Sequence, residues 1–113
     1  NVIVTEGGKN VFPEEIENEF QLFDEIDQIL VRGYIADKKL KTEAIEALVY
    51  PNFEVLKDPA GAALSGEEIR ARIEKIVSEV NQRLLPYQKI TRTVILEEPM
   101  EMTTTKKIKR DSV

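Results

Sequence analysis

The chain is 113 residues long, 42% apolar and 33% charged, with a net charge of −5 at neutral pH. Those values fit one soluble domain with a single modest core, too small to enclose a two-substrate active site by itself. Neither Cys nor His occurs, which excludes disulfides, thiol nucleophiles, the usual transition-metal ligand sets and Ser–His or Cys–His dyads. Chemistry must therefore rest on carboxylates, Lys/Arg, hydroxyls or backbone groups. A pI near 4.9 argues against nucleic acid as the main partner, because that affinity comes largely from neutralising phosphates. No apolar run approaches the roughly 20 residues of a membrane span and no signal peptide is visible, so the expected compartment is the cytoplasm.

Residues 1–12 read as a strand, a glycine turn and a second extended piece. Val2, Ile3 and Val4 favour strand, Gly7-Gly8 interrupts, and Val11-Phe12 resumes. Pro13 suits the first position of a helix, with Glu14, Glu15 and Glu17 facing the positive end of its dipole. Phe12 is a poor cap, so the proline and the acids set this start. Ile16, Phe20 and Phe23 then form one apolar stripe.

Residues 26–35 (IDQILVRGYI) predict a strand, residues 36–39 a turn, and residues 43–50 (EAIEALVY) its antiparallel return. Ile45, Ala47 and Val49 share one face and Glu46 the other, as expected of a sheet with one solvated side. Residues 53–64 are irregular, with Pro59 and Gly61 marking a connection. Ser65 and Glu68 form a capping box, and Ile69, Ile73, Ile76, Val77, Val80 and Leu84 keep helical spacing until Pro86. Residues 89–96 (KITRTVIL) predict a third strand, and residues 100–113 a polar, basic tail. The order ββαββαβ specifies an α+β fold: an N-terminal β-hairpin plus a small three-stranded antiparallel or mixed sheet, covered by two main helices. The whole of 1–113 reads as a single domain.

Two segments carry candidate chemistry. In residues 5–17 (TEGGKNVFPEEIE), the plain alternative is a hairpin and a helix entry. The functional alternative is that Gly7 and Gly8 let backbone approach a ligand closely, with Lys9 beside them as a cation. In residues 102–110 (MTTTKKIKR), the plain alternative is a solvated charged tail. The functional one is a single lysine, held by flanking threonines and a buried Ile108, entering another domain's cleft. A lysine ammonium about 4 Å from a phosphate or carboxylate contributes on the order of 4 kcal/mol at an effective dielectric of ~20. If the contact tightens as charge develops, it becomes a rate effect. Glu97, Glu98 and Glu101 read as a solvated turn, since nothing near them in sequence perturbs their acidity.

Together the stretches VIVTEGGKNVFPEEIE, LLPYQKI and MTTTKKIKR resemble, in that order, the C-terminal domain of the acyl-adenylate-forming (AMP-binding) ligases, in the long-chain fatty acid–CoA ligase branch. The first resembles that superfamily's strand–glycine–strand motif followed by Pro-x-Glu-Ile-Glu. The last resembles its Thr-x-Ser/Thr-Gly-Lys-Ile-x-Arg motif. The resemblance implies a two-step reaction in which a fatty acid and ATP (with Mg²⁺) give acyl-adenylate and pyrophosphate, and CoA then displaces AMP.

It also implies a mobile domain that supplies an adenylation lysine in the first step and turns its glycine strand to the CoA tunnel in the second. By position that lysine is Lys107, supported by Thr103, Thr105, Ile108 and Arg110. Lys106 stands where the family has glycine, which leaves Lys106 as the other candidate. Gly7, Gly8 and Lys9 fall on the CoA-facing loop. The implied partner is the chain's own N-terminal adenylation domain, with the hinge upstream of Asn1. The domain alone is then catalytically silent, and no cofactor binds it by itself. Peripheral association of the full enzyme with a membrane is compatible with such a role. Aryl or medium-chain acids are the rival substrates, and the acyl pocket that decides among them lies in the adenylation domain. A different class altogether is a non-enzymatic interaction module whose basic tail binds an acidic partner or nucleic acid.

Overall fold

The structure, a computed structural model, describes residues 2–39 and 42–102. A short antiparallel hairpin pairs β1 (Ile3–Val4) with β2 (Asn10–Val11). Helix α1 (Pro13–Asn18) follows, then the hairpin β3 (Ile26–Tyr34) and β4 (Ala44–Pro51), the long helix α2 (Gly66–Arg83) and β5 (Arg92–Ile95). The main sheet has the order β3-β4-β5, with β3 antiparallel and β5 parallel to β4. A parallel neighbour requires a long return, and residues 52–91, with α2 at their centre, provide it. The α+β architecture expected from the sequence is the one observed.

Helix α2 forms where its signals are densest. Ser65 Oγ accepts from the Glu68 amide at 3.2 Å, and Glu68 Oε1 accepts from the Ser65 amide at 3.1 Å. Two of the helix's otherwise orphaned donors are thereby satisfied. Ile69, Ile73, Ile76, Val77 and Val80 are buried along one stripe. They pack on the face of the sheet that carries Val31, Ile45, Ala47 and Val49, joined there by Ile3, Val11, Ile16, Phe20, Leu56 and Ile90. Helix α1 is shorter than its apolar stripe: it ends at Asn18, and Phe20 enters the core from the turns that follow. Phe12 caps it with no side-chain bond, as expected. Its Glu17 instead accepts from the Val31 amide of the edge strand β3 at 2.7 Å. An outward-facing N–H that would template further strand pairing is thus occupied.

The sheet's other face departs from the expectation of a solvated side. Leu30 and Leu48 are buried there beneath Met100, with Val94 and Leu96 against them, in a second apolar cluster. Met100 therefore belongs to the fold rather than to a polar tail. Glu46 is 3% exposed, not solvated, because arginines from both neighbouring strands close over it. The third strand is also shorter than expected: Pro86–Gln88 make a 3-10 turn, and pairing with β4 starts only at Arg92.

Candidate functional site

Thr5 begins the turn between β1 and β2. Its amide donates to the Lys9 carbonyl at 3.0 Å, its hydroxyl donates to the same oxygen at 3.2 Å, and Gly8 N–H returns to Thr5 O at 3.0 Å. Gly7 and Gly8 take φ of +86° and +76°, values that cost an L-residue about 1–2 kcal/mol. A Cβ built on either would meet nothing within 4 Å. The glycines are therefore set by backbone conformation rather than by crowding within this domain, and the turn lies open to whatever approaches it. Lys9 Nζ lies 5.8 Å from the centroid of the Tyr87 ring. That contact ties the glycine turn to the LPYQ turn, joining two of the stretches singled out in the sequence.

The outer side of the same hairpin carries three apolar side chains, with Asn10 opposite Val4. Ile3 and Val11 pair inward, and their strand neighbours Val2, Val4 and Phe12 are 47%, 43% and 48% exposed.

The other predicted segment is reached only at its root. Thr103, Thr105, Lys106, Lys107, Ile108 and Arg110 lie outside the described residues. Residues 100–102, which precede them in sequence, are described. Gln28, on β3, accepts from the Met100 amide at 2.6 Å and donates to the Met100 carbonyl at 3.2 Å and to Met102 Sδ at 3.2 Å. The side-chain amide thus mimics one rung of a β-ladder and fastens residues 100–102 to the second face of the sheet. Glu97, Glu98 and Glu101 are exposed, as the turn reading expects.

One charged group on this face was not legible as a site. Arg32, Glu46 and Arg92 stand in register across the three strands. Arg32 Nε donates to Glu46 Oε2 at 2.6 Å, and Arg92 Nε lies 3.1 Å from Oε1 as an ion pair outside hydrogen-bond geometry. The Arg92 guanidinium also stacks 5.1 Å from the centroid of Tyr34, whose hydroxyl lies 3.0 Å from Thr91 Oγ1. A hollow of about 310 Å³ between β1 and β3 is lined by Val2, Pro13, Leu30, Arg32 and Glu43 among others, and the described residues lining it do not include Gly7, Gly8 or Lys9. Among the described residues, no group of three or more Asp/Glu is placed to hold a metal ion. No described helix is long and apolar enough to cross a membrane.

No protein-family profile matches the sequence, and no curated protein matches it. Solved structures do match the fold. A Mycobacterium tuberculosis fatty acyl-CoA synthetase is 24% identical with a TM-score of 0.66, over 97% of this chain and 18% of that one. A Brucella canis acyl-CoA synthetase is 18% identical with a TM-score of 0.67, over 96% and 18%. An ATP-bound chimera of RpMatB and BxBclM is 23% identical with a TM-score of 0.68, over 97% and 19%. The chain thus spans less than a fifth of the length of these structures. At such identities the likeness is one of fold: this chain has the fold of a segment found within acyl-CoA synthetases.

Proposed function

We propose that this chain is the mobile C-terminal domain of an AMP-forming acyl-CoA ligase of the long-chain fatty acid branch, working with an N-terminal adenylation domain. The observation that carries this reading is that nearly the whole chain shares its fold with under a fifth of the Mycobacterium tuberculosis and Brucella canis acyl-CoA synthetases. The glycine turn, the LPYQ turn and the lysine-bearing tail follow in the ligase order along it. Further support comes from the exposed strip of Val2, Val4 and Phe12, an apolar surface beside the glycine turn suited to a large apolar neighbour.

In the first step a carboxylate oxygen attacks the α-phosphorus of ATP and pyrophosphate leaves. Lys107 brings its ammonium to the oxygens on which charge accumulates, where a preorganised cation in a water-poor cleft lowers the barrier. In the second step the CoA thiol attacks the acyl carbonyl and AMP leaves. The turn at Gly7, Gly8 and Lys9 then faces the thiol's path, and the open space over both glycines lets backbone lie close to it. Mg²⁺ travels with the ATP phosphates.

The test separates the half-reactions in the intact enzyme, with palmitate as acid and octanoate and benzoate as comparators. Lys107→Ala is expected to lower pyrophosphate release by about 10²–10³-fold while CoA transfer from preformed palmitoyl-adenylate survives. Gly8→Leu is expected to do the reverse. Lys106→Ala carrying the first effect would reassign the lysine by one position. Equal loss of both half-reactions in the Lys107 and Gly8 variants would contradict the division of labour.

A further inference from the structure

The glycine turn near the start of the chain meets the Pro86–Gln88 turn near its end, where the Lys9 ammonium lies over the Tyr87 ring, 5.8 Å from its centroid. We propose that Tyr87 is a positioning residue for the CoA step, acting through Lys9 to hold the turn at Gly7 and Gly8; this rests on the ligase reading above. Three observations support it.

First, the ring is a fixed platform. Pro86 opens its 3-10 turn, the Gln88 amide donates to the Leu85 carbonyl at 2.9 Å, and Gln88 Oε1 accepts from the Leu85 amide at 3.0 Å. Asn81, in the last turn of α2, pairs both ways with Ile90 beyond this turn, and the ring itself packs against the main core. Second, the hairpin that carries the glycines is short. Its strands have two residues each, and a two-stranded hairpin is only marginally stable by itself. Ile3 and Val11 anchor its base in the core, and the Glu43 amide donates to the Val4 carbonyl at 2.9 Å. Gly7 and Gly8 lie beyond those anchors, and glycine has more backbone freedom to lose than any other residue. Third, Lys9 is joined to the turn and to the ring at once. Its carbonyl accepts from the Thr5 amide and hydroxyl that close the turn, at 3.0 and 3.2 Å, while its ammonium sits over Tyr87. Holding the Lys9 side chain therefore holds the residue whose carbonyl closes the loop. Lys9 is exposed, and a cation–π contact at an exposed site favours the ordered arrangement by about threefold. A turn already ordered when CoA arrives has less freedom to lose on binding it.

Two measurements test this. In the chain alone, Tyr87→Leu removes the ring but keeps an apolar side chain, and is expected to speed exchange of the Thr5 and Gly8 amides by about threefold. Lys9→Met, which changes only an exposed side chain, is expected to give the same rise while exchange of β4 amides stays unchanged. Tyr87→Phe keeps the ring and is expected to leave all of these amides as they were. In the intact enzyme, Tyr87→Leu is expected to lower kcat/KM for CoA, with preformed palmitoyl-adenylate, by about 3–5-fold while pyrophosphate release with palmitate is unchanged. Tyr87→Phe is expected to restore the original value. Tyr87→Leu combined with Lys9→Met is expected to fall no lower than Lys9→Met alone, because the ring acts through the lysine.

Unchanged Thr5 and Gly8 exchange in the Lys9→Met chain would overturn the contact as a restraint on the turn. Equal slowing of both half-reactions, equal losses in Tyr87→Phe and Tyr87→Leu, or losses that multiply in the double variant would overturn the positioning role. Gly8→Leu runs alongside. If it leaves CoA transfer intact, the CoA-facing reading of the turn fails and the positioning role with it; if Gly8 matters and Tyr87 does not, only the positioning role fails.

Discussion

At Glu46, a carboxylate side chain 4% exposed lies between two guanidinium groups whose side chains are 40% and 58% exposed. Burying a lone carboxylate is costly, and it is retained only because a partner arrives from each adjoining strand. Only one of its oxygens has a hydrogen bond of good geometry; the other faces Arg92 as a charge. The arginines' exposure dilutes the Coulomb attraction, so the larger part of the favourable contribution is the charge-assisted bond from Arg32, set against the cost of removing water from the carboxylate. Glu46→Ala is expected to destabilise the domain by about 1.5–3 kcal/mol, measured by urea denaturation. Arg92→Ala, which leaves the Arg32 bond in place, is expected to cost less than half of that. Equal costs would mean that Arg92 carries more of the pairing than its geometry implies.

Among the elements, α2 shows what local signals specify. Its cap, its acidic first turn and its apolar stripe all lie within one continuous stretch, and each does in the fold what its spacing implies. Ser65→Ala removes one arm of the capping box and is expected to cost about 1 kcal/mol in thermal or urea unfolding. No change would mean that water replaces the cap without loss. The start of α1 at Pro13 and the positive-φ glycine turn were legible for the same reason: proline and glycine act through their own backbone.

What was not legible depends on partners distant in sequence. Glu46 looks like a solvated residue on an alternating strand until Arg32 and Arg92, 14 residues before it and 46 after, are placed beside it. Met100 looks like the start of a polar tail until Gln28, 72 residues earlier, holds its backbone. Asn81 makes the same kind of two-way amide pairing with Ile90, at 3.0 and 2.9 Å, so bonding to β4 begins only with the Thr91 amide, which donates to the Ile45 carbonyl at 2.9 Å, and β5 is shorter than its β-branched run. Side-chain amides that substitute for ladder rungs leave no periodic trace in a sequence.

At the scale of the whole molecule, the domain has two faces with different tasks. One face of the sheet is committed to the core under α1 and α2. On the other, Leu96 and Met100 pack over Leu30 and Leu48 beside a charged row. The glycine turn is held by the contact of Lys9 with Tyr87, and Met100 and Met102, which precede the lysine motif in sequence, are held by Gln28. On the proposed reading, these groups act in a cleft that an adenylation domain completes. The most direct measurement is to read the coding frame upstream of Asn1. The account predicts several hundred in-frame residues containing a Gly/Ser/Thr-rich phosphate-binding loop; a gene that encodes this domain alone would contradict it.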